Sequence, residues 1–214
     1  MTNHEMAKKY MQKCRAEKKD PKIRIAYLPN DGVGLLEVTD KTSEGRFVVP
    51  SFITFYSVRG SKPFKNCKFK EVYIDNTKNP DADYTGMFAG IDQIDLTVSF
   101  EDTKQVRTMA HMFEYCDGLE KITLKHDDSE IKCKTLANAF THCEQLNTLV
   151  LGAIDFGKTA FETQEMGASD IKEALEISGV LNGTKNVQHI STDKENVELD
   201  KVIDETDIDY KNMV

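Results

Sequence analysis

Met112-Phe113-Glu114-Tyr115-Cys116-Asp117-Gly118-Leu119-Glu120-Lys121-Ile122-Thr123-Leu124 decides how this chain folds, because its pattern recurs. Pro63-Phe64-Lys65-Asn66-Cys67, Met87-Phe88-Ala89-Gly90-Ile91 and Ala139-Phe140-Thr141-His142-Cys143 repeat its head, and the four phenylalanines are 24, 25 and 27 residues apart. An apolar tail follows each head: Phe69, Val72 and Ile74; Ile94, Leu96 and Val98; Leu119, Ile122 and Leu124; Leu146, Leu149 and Leu151. Four copies with the same positions argue against chance recurrence in an ordinary α/β domain. One unit has too little apolar area to bury alone. Stacked on its neighbours, it shares a continuous core in which like residues lie above like.

A period in the twenties ending in L-x-x-L-x-L predicts a leucine-rich-repeat solenoid of α/β class, with short parallel strands on one face and helices and turns on the other. Side chains alternate along a strand. Val72 and Ile74, Leu96 and Val98, Ile122 and Leu124, and Leu149 and Leu151 therefore face the core. Tyr73, Thr97, Thr123 and Val150 face out in one row. Each Phe and the Cys or Ile three residues later pack inward from the opposite wall.

Working outward, residues 2–19 read as an N-terminal capping helix, with Thr2 or Asn3 as N-cap and Met6, Tyr10 and Cys14 on one stripe. A basic helix docking on a partner is the alternative. Asp20-Pro21 ends that helix. Lys22–Leu28 and Gly34–Val38 read as strands around a Pro29–Gly32 turn, and 46–50 and 51–56 as β-rich lead-in strands, completing residues 1–60. The solenoid spans 61–191. Past Gly152 the pattern degrades: Ser169 caps a helix closed by Gly183, and Val187–Ile190 is a last strand. An acidic tail, 192–214, reads as a marginal capping helix carrying Leu199, Val202 and Ile203.

The chain has 214 residues, 39% hydrophobic and 30% charged, with a net charge of −8. That balance argues against general nucleic-acid binding, since phosphates require a basic surface. Residues 1–22 carry net +4 and residues 192–214 net −5. No apolar run reaches the roughly 18 residues of a membrane span, and the charged N-terminus lacks the apolar centre of a secretory signal. The five cysteines, without a C-x-x-C pair, suit a reducing compartment. Together these predict a cytoplasmic protein.

Leu35–Val38, Phe47–Ser51, Pro63–Cys67 and Phe69–Val72 resemble the BspA-like leucine-rich repeats of bacteria. In that family an "I-T-x-Y" strand and a "V-I-P" strand precede an "A-F-x-x-C-x-x-L-x-x-V" unit. The unit Met109–Leu119 resembles the "N-M-x-x-M-F-x-x-C-x-x-L" subtype. The resemblance covers roughly residues 34–160. It implies a protein-binding role, that of mostly secreted or surface adhesins, and carries no catalytic residues.

Three patterns could carry chemistry. Gly152-Ala153-Ile154-Asp155-Phe156-Gly157-Lys158-Thr159 fits a phosphate-binding loop after a strand. Only 55 residues follow it, Asp155 would sit within the anion cradle, and a repeat edge explains the same residues. His111, Cys116, His142 and Cys143 could converge on zinc, with the two thiols in adjacent coils, but the repeat already accounts for those thiols as small buried residues. His126-Asp127-Asp128-Ser129 holds a compact His/Asp/Ser cluster, although triad groups normally come from distant segments. No cofactor, metal or catalytic residue is assigned.

What remains is the outward surface. Glu71, Tyr73, Asp75, Asp95, Thr97, Lys121, Thr123, Lys125 and Val150, with Ser99, Thr148 and His189, form a shallow ribbon suited to a protein partner. Tyr73 is its aromatic anchor. The leading expectation is a non-enzymatic intracellular binding module with no membrane or direct nucleic-acid partner. A second is an acidic inhibitor of the phage anti-defence or anti-CRISPR type that fills the basic groove of a bacterial nuclease complex. A third is a nucleotide-binding enzyme using Lys158.

Overall fold

A computed structural model describes residues 1–58, 60–75, 82–101, 105–126, 132–133, 138–151, 184, 187, 189–191 and 196–198. Its one described helix, α1 (Asn3–Ala16), begins at Thr2, whose hydroxyl accepts from the Glu5 amide while the Glu5 carboxylate accepts from the Thr2 amide. This reciprocal cap satisfies two of the free donors at the helix start. Asp31 adds a bidentate cap from outside, accepting from the Asn3 and His4 amides at 2.6 and 2.9 Å.

Asp31 lies in the turn between β1 (Ile23–Leu28) and β2 (Gly32–Val38), an antiparallel hairpin. Asn30 and Asp31 take left-handed backbone (φ 57° and 61°), closing the three-residue Pro29–Asp31 connection with a hydrogen bond from the Gly32 amide to the Pro29 carbonyl at 3.1 Å. His4 Nε2 donates to the Gly32 carbonyl at 2.7 Å, and the Tyr10 hydroxyl to that of Pro21 at 2.8 Å. Ala7 is fully buried, with Met6 and Tyr10 packed on the same core. The helix therefore caps the hairpin and the start of the stack, as its stripe predicts.

Beyond the hairpin the chain winds as a β-solenoid of about three turns with mostly parallel strands. One sheet runs in the order β12-β11-β10-β8-β6-β4-β3. Its members are β3 (Arg46–Val49), β4 (Glu71–Ile74), β6 (Asp95–Phe100), β8 (Lys121–His126), β10 (Thr148–Val150), β11 (His189–Ser191) and β12 (Asn196–Glu198). All neighbours are parallel except β11 and β12. A second parallel sheet, β5 (Ala82–Asp83), β7 (Gln105–Thr108) and β9 (Lys132–Cys133), forms another side of each coil.

The third side holds the phenylalanines. Phe64, Phe88, Phe113 and Phe140 stack with centroid spacings of 4.8, 5.4 and 5.3 Å, the last two pairs nearly parallel. Phe47 extends the column at 5.5 Å. The expected ladder of like on like is thus present. Beneath it, Cys67, Ile91, Cys116 and Cys143 are all buried. A second column, Tyr56, Tyr84 and Phe100, fills the other side of the core at 4.6 and 5.5 Å.

Several expectations need correction. The wall opposite the sheet is built of turns, and no helix occurs there among the described residues. Those turns are laddered across coils: Phe88 N–H donates to the Met112 carbonyl, Gly90 to Glu114, Phe113 to Ala139 and Tyr115 to Thr141. Such bonding requires the same turn conformation in successive coils, with N–H and C=O groups left free to bond along the stack, which a helix bonded within itself would not offer. Residues 51–56 form a turn with one bridge, Gly34 to Phe55, rather than a strand. Ile94, placed in the core tail, is 60% exposed, whereas its counterparts Phe69, Leu119 and Leu146 are buried. Within the tail, 196–198 is an antiparallel edge strand rather than helix. The helix expected from Ser169, residues 199–214, and the phosphate-loop pattern at Gly152–Thr159 lie outside the described residues.

Candidate protein-binding face

Strand register fixes which outward residues meet. Arg46, Glu71, Thr97, Thr123 and Val150 make one row across β3, β4, β6, β8 and β10. Val48, Tyr73, Ser99 and Lys125 make a second, and Asp95, Lys121 and Thr148 a third. Asp75 follows the end of β4, and His189 holds the register position beside Thr148. Asp95, Lys121 and Lys125 are exposed, and Glu71, Tyr73, Asp75, Thr97, Thr123 and Val150 half-buried. Their inward neighbours Val72, Ile74, Leu96, Val98, Ile122, Leu124 and Leu149 are all buried, so the alternation read from the sequence holds along each strand.

Tyr73 alone changes row. The sequence aligns it with Thr97, whereas the register sets it beside Ser99, one pleat further along. Val72 pairs with Val98, yet eight residues separate Phe64 from Val72 and ten separate Phe88 from Val98. The turns between head and strand differ in length, so counting from the phenylalanine misplaces the strand by one pleat.

Two members of the face were not legible as such. Arg46 and Val48 come from β3, which reads as a lead-in strand but is the first rung of the sheet. Val48 is 56% exposed. The Arg46 guanidinium lies 4.5 Å above the Tyr73 ring, and its Nε is 3.4 Å from Glu71 Oε1. Ser99 Oγ is 3.4 Å from the same carboxylate oxygen. This network holds Tyr73 upright at the N-terminal end of the face, with Val48 beside it.

The proposed zinc ligands are engaged elsewhere. Cys116 Sγ donates to the Phe88 carbonyl at 3.3 Å and Cys143 Sγ to the Phe113 carbonyl at 3.0 Å, each bridging to the preceding coil. The neighbouring Cys116 thiol and then burial push the Cys143 thiol far above its ordinary range, so it stays protonated. The His142 ring stacks on Tyr115 at 4.8 Å, and His111 Nδ1 is 3.5 Å from Glu114 Oε1. No group of three or more His, Cys, Asp or Glu side chains is placed to hold a metal among the described residues. The His126–Ser129 cluster lies outside the described side chains.

The class this geometry defines is a β-solenoid with an N-terminal helical cap and a bare, mixed-charge outer sheet. No family model, curated protein or solved structure matches the chain. No described helix is long and apolar enough to cross a membrane.

Proposed function

We propose that the chain is a leucine-rich-repeat-type binding module, without enzymatic activity, that engages a protein partner through the outer side of its seven-stranded sheet. The observation that supports this is a continuous outward surface on which Val48, Tyr73 and Val150 offer apolar contact between charged groups of both signs. Solenoid sheets of this kind present broad, shallow surfaces suited to protein partners. Aromatic residues held in place, as Tyr73 is by Arg46, favour binding because little side-chain freedom remains to be lost.

Photo-crosslinking tests the reading. A crosslinking side chain at Thr97 or Thr123 is expected to capture one partner in common, and the same group at Glu114 on the turn wall is expected not to. Equal capture from both walls, or none from the sheet, would reject the outer sheet as the binding surface. The Tyr73→Ala change is expected to weaken association by about 2 kcal/mol, read by titration calorimetry with the captured partner. An acidic groove-filling inhibitor gains no support from the described face, where Arg46, Lys121 and Lys125 interrupt the carboxylates.

A further inference from the structure

Each coil turns past its phenylalanine on a residue with left-handed backbone: Asn66, Gly90, Tyr115 and His142, with φ of 61°, 70°, 57° and 57°. These four positions recur at one level of the turn wall and make an external column. In it the Tyr115 and His142 rings are stacked at 4.8 Å with 8° between planes, although Tyr115 is 48% exposed. The next rung toward the N-terminus is Gly90, which has no side chain. A Cβ there would meet only the Lys65 Cγ at 3.6 Å and the Tyr115 carbonyl oxygen at 4.0 Å. The column therefore carries no ring at that level, where the Lys62 ammonium faces the Tyr115 ring.

Lysines surround that gap. The Lys62 ammonium reaches across it to 5.3 Å from the Tyr115 centroid, and the Lys65 stem lies over Gly90. Beside them runs a groove of about 420 Å³ lined by Leu36, Glu37, Lys41, Ser61, Lys62, Lys65 and Asn66. Its carboxylate, Glu37, is already bound by Arg24 at 3.0 Å and by Lys41 at 3.7 Å, and Lys41 Nζ also donates to the Lys65 carbonyl at 2.8 Å. Neither Lys62 nor Lys65 pairs with a carboxylate among the described residues. On a chain of net charge −8, a groove in which Lys62 and Lys65 lie beside a half-covered aromatic ring is a specific feature.

We propose that this notch binds a planar aromatic anion of nucleoside-phosphate type, with its ring replacing the missing rung against Tyr115 and its anionic group between Lys62 and Lys65. Stacking and charge then act on the two ends of one ligand, which makes each separable by mutation. A ring on an aromatic side chain contributes to affinity without reading base identity, and the lysines act as point charges that salt weakens. The site is on the turn wall and independent of the sheet face. It is also remote in sequence from Lys158.

The probe is 2-aminopurine riboside 5′-monophosphate, titrated into the full chain with its fluorescence followed, since stacking quenches it. Saturable quenching is expected for the wild type and for Tyr115→Phe. Tyr115→Ala is expected to weaken binding about tenfold, and Lys62→Gln with Lys65→Gln to weaken it and remove most of the salt dependence. All these side chains are exposed, so thermal midpoints close to the wild type's are expected to confirm folding. The free nucleoside is expected to bind more weakly than the monophosphate. No saturable quenching, or quenching unchanged in both Tyr115→Ala and the double lysine variant, would overturn the proposal.

Discussion

Stability in this molecule is set at residues that repeat. Phe113 touches a ring on either side, Phe88 at 5.4 Å and Phe140 at 5.3 Å, and is 1% exposed. Phe113→Ala is expected to lower unfolding free energy by about 3–5 kcal/mol in urea titration, the cost of lost burial plus a cavity. Backbone conformation imposes a second demand. Gly86 has φ 67° and open space around the position of a Cβ, so Gly86→Ala isolates the cost of left-handed backbone, about 1–2 kcal/mol, and Gly86→Asn is expected to cost less. His111 and Asn138 occupy the equivalent place in later coils with φ 54° and 53°. Asp31 ties pH to the fold: the His4 amide, and then that of Asn3, hold its carboxyl below the usual range. A lowered folded-state value stabilises above the unfolded pKa of about 3.9, and the contribution is lost as pH falls through the folded value. Between about pH 5 and about pH 3 the thermal midpoint of Asp31→Asn is expected to fall less than that of the wild type.

At the scale of elements, the helix and hairpin work as one lid on the first coil. Gly34 is required for that closure. A Cβ there would lie 2.2 Å from Val58 Cγ2, where the hairpin meets the 52–58 turn through the Gly34–Phe55 bridge. Gly34→Ala is expected to destabilise by about 1–3 kcal/mol or more, seen in denaturant midpoint, because the short, β-branched Val58 side chain has little freedom to turn away. Lys22 and Asp40 fasten the base of the hairpin at 2.7 Å, and that hydrogen bond, with those from Ser43, holds the Asp40 carboxyl far below its usual range. The helix itself depends on Thr2 less than on Asp31 and the buried Ala7, so Thr2→Ala is expected to cost only about 1 kcal/mol. The capping helix was legible because its signals are local: a Thr-x-x-Glu box and a four-residue stripe. The turn wall was not, since a short run such as Met112–Cys116 satisfies helical spacing as well as it satisfies a turn. The choice is made by hydrogen bonds to neighbouring coils.

For the molecule as a whole, each coil contacts chiefly its neighbours, as the pairing of β3, β4, β6, β8 and β10 in order shows. Nearest-neighbour coupling makes a central defect more disruptive than a terminal one. Its two outer walls are chemically distinct. One is a sheet of mixed charge and small apolar groups; the other carries an external ring pair, Tyr115 and His142, beside a lysine-lined groove. Of the face, the alternation of Tyr73, Thr97, Thr123 and Val150 was legible, because a period of two is intrinsic to a strand. The grouping of Arg46 and Val48 with them was not, because it depends on a parallel partner 25 residues away.

The amino-acid sequence by itself determined that the chain stacks: identical apolar positions returning every 24 to 27 residues leave no other way to bury so many small patches together. It also determined which side of each strand faces water. Tertiary structure alone decided the register, placing Tyr73 beside Ser99, and decided that the phenylalanine wall is laddered turn rather than helix. The physical reason is that register and inter-coil hydrogen bonding are relations between coils whose connecting turns differ in length, and no single stretch of chain contains both partners.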